Sequence, residues 1–194
     1  MSGSAARSLT PEQNSPEVES AFENALPGCV VEILDGELHT MPRPRAMHSR
    51  AASRLGRYIG QFDDDEGPSG WIILDEPEIH LGPRPDKVVP DLAGWRRERM
   101  PELPDVAAFT LAPDWACEVL SESTEAIDRG KKLRIYRREG VGHVWLVNPT
   151  LRTLEVYRLT QGQWMLVDTH EGEDTVRAEP FESIELPLAR LWAR

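Results

Sequence analysis

The chain has 194 residues, 40% of them hydrophobic and 28% charged, and a net charge of −11. At about 150 residues per domain this predicts one domain, able to bury roughly 70% of the surface its unfolded chain exposes without disulfides or a structural metal. The composition excludes a wholly disordered, fibrous or membrane-embedded chain, and the acidic total argues against a general polyanion binder.

Residues 1–14 are polar and rich in Ser, Ala and Pro, which predicts a disordered tail ahead of a single domain over 15–194. A short helix is expected within 16–26. Residues 29–34 read as a strand, Asp35-Gly36 as a hairpin turn and 37–41 as the returning strand. From 46 to 62, Ala51, Leu55, Ile59 and Phe62 recur at helical spacing, and Pro68-Ser-Gly70 breaks the pattern. Strands follow at 71–74 and 78–81, with a turn at 83–85. Residues 88–95 are extended and apolar, and Pro90 marks an edge or irregular strand start.

Pro101 and Pro104 place a loop over 96–111. Residues 115–120 form a continuous apolar strand. Ser121 to Thr124 supply helix N-cap residues. The helix runs to Glu139, with Ala126, Gly130, Leu133 and Tyr136 on one stripe, and Gly140 ends it. A buried strand at 143–147 and a hairpin over 153–168 around Gln161-Gly162 follow. The apolar stretch 184–188 is suited to packing. The order of elements predicts a mixed β-sheet flanked by helices, of the α/β or α+β class, with an N-terminal β-hairpin.

The charges are blocked: 43–60 holds five Arg and no acid, and 129–138 holds six basic residues and no acid. Two basic helix faces could meet a phosphate backbone, or could be solvated surface. Cys29 and Cys117 both sit in apolar contexts and read as reduced core thiols of a cytoplasmic protein. The first 17 residues lack a secretory apolar region, and no apolar run approaches the roughly 20 residues that span a bilayer. There is no GxxxxGK[ST] phosphate loop and no zinc-ligand spacing.

Two carboxylates stand out. Asp91 follows Pro90 in an otherwise apolar segment, and Glu118 interrupts the apolar strand at 115–120. A buried acid is costly unless paired, coordinated or at an exposed strand end. If the two strands are neighbours, both acids can share one Mg²⁺, which keeps several waters and so needs few protein ligands. The alternative is a pair of solvated or Arg-paired strand ends. The chain has 19 Arg but only three Lys, two of them Lys131 and Lys132 on the helix after the Glu118 strand. A lysine reaching back over the strand end could position a water or stabilise phosphate charge. An Asp128–Lys132 surface pair is the alternative.

Pro90-Asp91, Glu118-Val-Leu-Ser121, Asp128-Arg-Gly-Lys-Lys132-Leu, Tyr136, Gly140-Val141 and Val144-Trp-Leu-Val-Asn-Pro149 together resemble the Uma family of putative restriction endonucleases, within the PD-(D/E)xK nuclease superfamily. The N-terminal stretch from Val31 through Glu37 to Pro42, followed by His48, is similar as well. The resemblance spans roughly residues 28–192. It implies a restriction-endonuclease-like core and Mg²⁺-dependent cleavage of DNA, with Mn²⁺ a substitute. Carried over, Asp91 and Glu118 are the metal-binding acids and Glu37 an additional acid from the hairpin. Leu120 stands where the motif lysine would be, and Lys132 is its expected replacement. His48 is expected to start a helix rather than act in the site, and Tyr136 to pack. A homodimer is expected for cutting both strands. The alternative function is a non-catalytic nuclease-fold protein that binds nucleic acid or a protein partner.

Overall fold

The computed structural model describes residues 13–26, 28–63 and 69–193. Helix α1 (Pro16–Glu23) precedes a hairpin of β1 (Cys29–Leu34) and β2 (Glu37–Pro42). Asp35 and Gly36 both take positive φ, 54° and 78°, as a two-residue turn matched to strand twist requires. Helix α2 (Ala46–Ile59) continues into a 3₁₀ turn (Gly60–Phe62). Four short strands follow, β3 (Trp71–Asp75), β4 (Ile79–Leu81), β5 (Asp86–Val88) and β6 (Leu92–Arg96), and then β7 (Trp115–Val119). A helical segment is built of α3 (Glu125–Ile127), a π-helical turn (Asp128–Lys132) and α4 (Leu133–Arg138). Strands β8 (His143–Asn148), β9 (Thr153–Thr160), β10 (Gln163–Glu171), β11 (Thr175–Val176) and β12 (Leu186–Pro187) lead to α5 (Ala189–Trp192).

The central sheet has six strands in the order β10-β9-β8-β7-β6-β3. Only its β7–β8 pair is parallel, and the helical segment 125–138 supplies the crossover that a parallel pair needs. The expected mixed sheet is therefore present. The N-terminal hairpin lies outside it, in a second antiparallel sheet of order β2-β1-β5-β4.

Each face of the central sheet has its own core. On one face, Ala51, Leu55 and Ile59 of α2 pack with Trp71, Trp115, Trp145 and the C-terminal Phe181, Leu188 and Leu191. Phe181 sits among Phe62, Trp71 and Trp115 with ring centroids 4.6–5.0 Å apart. On the other face, Ala93, Trp95, Ala116 and Leu146 pack against Leu34, Ile79 and Val88 of the small sheet and Ile135 and Tyr136 of α4. Gly94 lets the aromatic layer close: a Cβ there would lie 2.8 Å from Ile73 Cδ1 and 3.2–3.3 Å from the Trp71 and Trp115 rings. Gly94→Ala is expected to cost about 1–3 kcal/mol through overpacking, seen as a lower urea midpoint with an unchanged slope.

Several local expectations are corrected. The helical segment does not bury the stripe of Ala126, Gly130, Leu133 and Tyr136. Ala126 is exposed, while Asp128, Lys132, Ile135 and Tyr136 are buried. The π turn holds an extra residue in its ring, with Leu133 N–H bonded to Asp128 C=O, and so resets the helical phase. Thr124 stands at the N-cap, but its hydroxyl makes no capping bond to the backbone. It shares a 3.0 Å hydrogen bond with Ser121 Oγ instead. The C-terminal expectation holds: Gly140 (φ 76°) N–H bonds Arg137 C=O and Val141 N–H bonds Tyr136 C=O, the paired bonds of a Schellman ending.

Cys117 is buried but Cys29 is exposed, because β1 is covered only over its last three residues; both thiols are free. Of the polar N-terminal stretch, residues 1–12 lie outside the described residues, as does Pro68. Asn14 is buried, and its amide donates to Pro85 C=O at 2.8 Å and Glu19 Oε1 at 2.9 Å. No helix among the described residues is long and apolar enough to cross a membrane.

Candidate active site

Pro90 has no N–H to give a ladder, so β6 begins at Leu92 and Asp91 stands just before it. The β6–β7 register pairs Leu92 with Cys117. Asp91 and Glu118 each lie one residue beyond this last pair, and both line one cavity. Asp91 Oδ2 accepts the Val119 N–H at 2.7 Å, and its Oδ1 lies 3.3 Å from His48 Nε2 in the first turn of α2.

Glu118 is 2% exposed, and both its oxygens are engaged. Lys132 Nζ donates to Oε2 at 2.8 Å, and the Tyr136 hydroxyl donates to Oε1 at 2.5 Å. The π turn carries Lys132 and Asp128 inward together, with Asp128 Oδ1 3.8 Å from Nζ. Lys132 also lies 3.1 Å from Glu32 Oε1 and donates to Val89 C=O at 3.3 Å. Glu32, fully buried in β1, accepts the Val89 N–H at 2.6 Å, and its Oε2 has no partner among the described residues.

Three carboxylates thus surround one ammonium, with Asp91 and His48 at the edge. Burial pushes the Glu118 carboxyl well above its ordinary range against the pull of Lys132. Burial likewise pushes Asp128 up to about 6. For Lys132 burial acts downward but is outweighed by Glu118 and Glu32, so the ammonium titrates well above 10.5. For His48, too, burial acts downward, and Asp91 overcomes it to raise the imidazolium. Every one of these shifts retains protons, through desolvation at Glu118 and Asp128 and through facing carboxylates at Lys132 and His48.

A cavity of about 790 Å³ opens over this centre, lined by Asp91, Glu118, Asp128, Lys132 and His48 among others. Its donor set suits a hard divalent cation: two carboxylates line one space, and an unpartnered buried carboxylate oxygen lies beneath. Among the described residues no three His, Cys, Asp or Glu side chains converge as a ready-made metal cage. Asp91 and Glu118 would therefore hold Mg²⁺ as a pair, with water completing the shell, as that ion commonly prefers.

The structure brings together three of the four site residues expected from sequence: Asp91, Glu118 and Lys132. It does not bring in Glu37, whose side chain is 70% exposed at the start of β2 and bonded to Lys131 Nζ at 2.5 Å. The hairpin contributes Glu32 instead. The signal was legible, since Glu32 interrupts Val30-Val31 and Ile33-Leu34 as Glu118 interrupts its own apolar run. His48 does more than start a helix, because it reaches Asp91. Tyr136 packs as expected and also hydrogen-bonds Glu118. Asp128 and Lys132 do pair, but in the interior rather than on a surface. Leu120, at the motif-lysine position, is buried apolar core.

The sequence matches the family model Uma2, described as "Putative restriction endonuclease", over residues 20–189. Among solved structures it is similar to a putative nuclease belonging to DUF820 from Anabaena variabilis. The two share 21% identity over 90% of this chain and 96% of that one, with a TM-score of 0.72, a likeness of fold. No match was found among curated proteins.

Proposed function

This chain belongs to the Uma2 family of putative restriction endonucleases, and we propose that it is a Mg²⁺-dependent nuclease hydrolysing DNA phosphodiester bonds at Asp91 and Glu118. One observation carries the reading: Asp91 and Glu118, each one residue beyond the last β6–β7 pair, line one cavity, with Lys132 2.8 Å from Glu118. A cation bound by the pair would polarise the phosphodiester and supply hydroxide near neutral pH. Asp91 is held in place by the Val119 N–H. Lys132 and the Tyr136 hydroxyl orient Glu118 from below. Lys132 also lines the cavity, where its charge can offset that growing on the phosphate.

The test is cleavage of plasmid and of a single-stranded oligonucleotide with Mg²⁺ or Mn²⁺ against the same reactions in EDTA. Metal-dependent cleavage of either substrate supports the reading; a pure preparation that cuts neither, with either ion, overturns it. A second reading, binding without cleavage, is favoured by one feature: both Glu118 oxygens are already engaged within the protein. Under that reading, nucleic-acid retention survives Asp91→Ala and cleavage is absent throughout.

Metal uptake has a separate readout. Cation entry into a centre that retains protons expels them. Mg²⁺ titration near pH 6 is therefore expected to give apparent enthalpies that differ between buffers of different ionisation heat. For the proton on Asp128, held with a pKa of about 6, the difference shrinks at pH 8.

A further inference from the structure

The cavity is more than an opening onto two acids. Its volume, about 790 Å³, falls within the roughly 300–1,000 Å³ of sites that enclose a small molecule. At its floor Glu118, Lys132 and Asp128 are only 2–4% exposed. Met41, Pro42, Met47 and Pro149 provide apolar wall, and Met47 stays 37% exposed with nothing packed over it. At the rim stand Arg43 and Arg45, both exposed, and neither has an ion-pair partner among the described residues. Pro44 biases Arg43 toward extended backbone, and Arg45 is extended (φ/ψ −73°/160°) as the N-cap of α2. Glu76 and Glu122 also line the cavity. The protein as a whole carries −11.

We propose that this cavity receives one unpaired nucleotide of a single DNA strand. Met41, Met47 and the flanking prolines take the base, and Arg43 and Arg45 grip the phosphates on the way in. The proposal deepens the nuclease reading by naming its substrate class, though the binding it asserts does not depend on cleavage. An intact duplex is too broad to enter a cavity of this size, so its phosphodiester cannot reach carboxylates this recessed. A single strand, a flap or a frayed end enters without first being unpaired, and the cost of extruding a nucleotide is what selects against the duplex. The wall has no Phe, Tyr or Trp ring and grips by apolar contact, which predicts tolerance of base identity.

The test uses the whole protein and a fluorescein-labelled 12-nucleotide strand, free or annealed to its complement, with anisotropy read in Ca²⁺. The free strand is expected to bind at least tenfold tighter than the duplex. Met47→Asp and the double substitution Arg43→Ala/Arg45→Ala should each weaken single-strand binding about tenfold. The arginine pair should also make the salt dependence of log K shallower by about 1.4, the value for two single-strand phosphate contacts. All three side chains are exposed, and an unchanged melting temperature would show that the variants fold. Duplex binding as tight as single-strand binding, or indifference to both variants, overturns the proposal.

Cleavage in Mg²⁺ separates this proposal from the nuclease reading. Blunt duplex cut as fast as single strand or flap removes the proposal and leaves the nuclease. A single strand bound as described but never cut removes the nuclease and leaves the binding site.

Discussion

Asp91→Asn is expected to abolish metal-dependent cleavage while leaving the fold intact. The amide oxygen of asparagine can still accept the Val119 N–H that Asp91 Oδ2 accepts at 2.7 Å, so the β6–β7 junction keeps its tie. What disappears is the negative charge, and with it half of the carboxylate pair that faces the cavity. The rate should fall at least about 10²–10³-fold, the range for removing one group that stabilises transition-state charge. Glu118→Gln should do the same, since its amide oxygen still accepts from Lys132 while its NH2 donates to the Tyr136 hydroxyl oxygen. The measurement is cleavage rate in Mg²⁺ beside a urea melt of each variant. Full activity in either folded variant would end the assignment of the site. Loss of activity together with loss of calorimetric Mg²⁺ binding places the effect at the cation rather than at the substrate.

Lys132→Met is expected to be the most destabilising single change around the site. The methionine chain fills much of the same volume, but Glu118, Glu32 and Asp128 lose the ammonium that lies 2.8, 3.1 and 3.8 Å away. Removing one partner of a buried ion pair typically costs about 3–5 kcal/mol, because the remaining charge stays desolvated.

The pH dependence follows from the directions of the shifts. The Lys132 ammonium titrates higher folded than the 10.5 of its ordinary state, so its contribution is fully present below about 10.5 and is lost as pH rises through the folded value. In the variant, the deficit should be largest at pH 8 and shrink toward pH 5, where Glu118 and Asp128, already raised by burial, take up protons. A Lys132→Met/Glu118→Gln double variant should recover part of the loss, which a double-mutant cycle in urea measures. Equal deficits at pH 5 and pH 8 would show that packing, not charge, is what Lys132 supplies.

The small radius of the site explains why these predictions can be specific. Asp91, Glu118 and Lys132 come from a strand approach, a strand interior and a helical turn; Lys132 and Glu118 meet through one hydrogen bond, and Asp91 is tied to Val119 and His48. Substitutions that keep the bond and remove the charge therefore separate electrostatics from shape.

By itself the sequence determined most of the elements and singled out Asp91, Glu118 and Lys132, which the fold gathers at one cavity. Strand and helix signals, the Asp35-Gly36 turn and the Gly140 ending are written in residues a few positions apart, and an acid inside an apolar run is visible without knowing its neighbours. Only the tertiary structure decided which acids meet. Asp91 and Glu118 reach one cavity because the ladder between β6 and β7 pairs Leu92 with Cys117 and not with a neighbour. Lys132 turns inward because a π turn resets the phase of its helix, which no 3.6-residue periodicity foretells. Glu32, not Glu37, joins the site because β1 presses that face against β5 and the crossover helix, leaving the start of β2 in solvent. Register, helical phase and the choice of buried face are settled by long-range packing, where small energies select among locally equivalent arrangements.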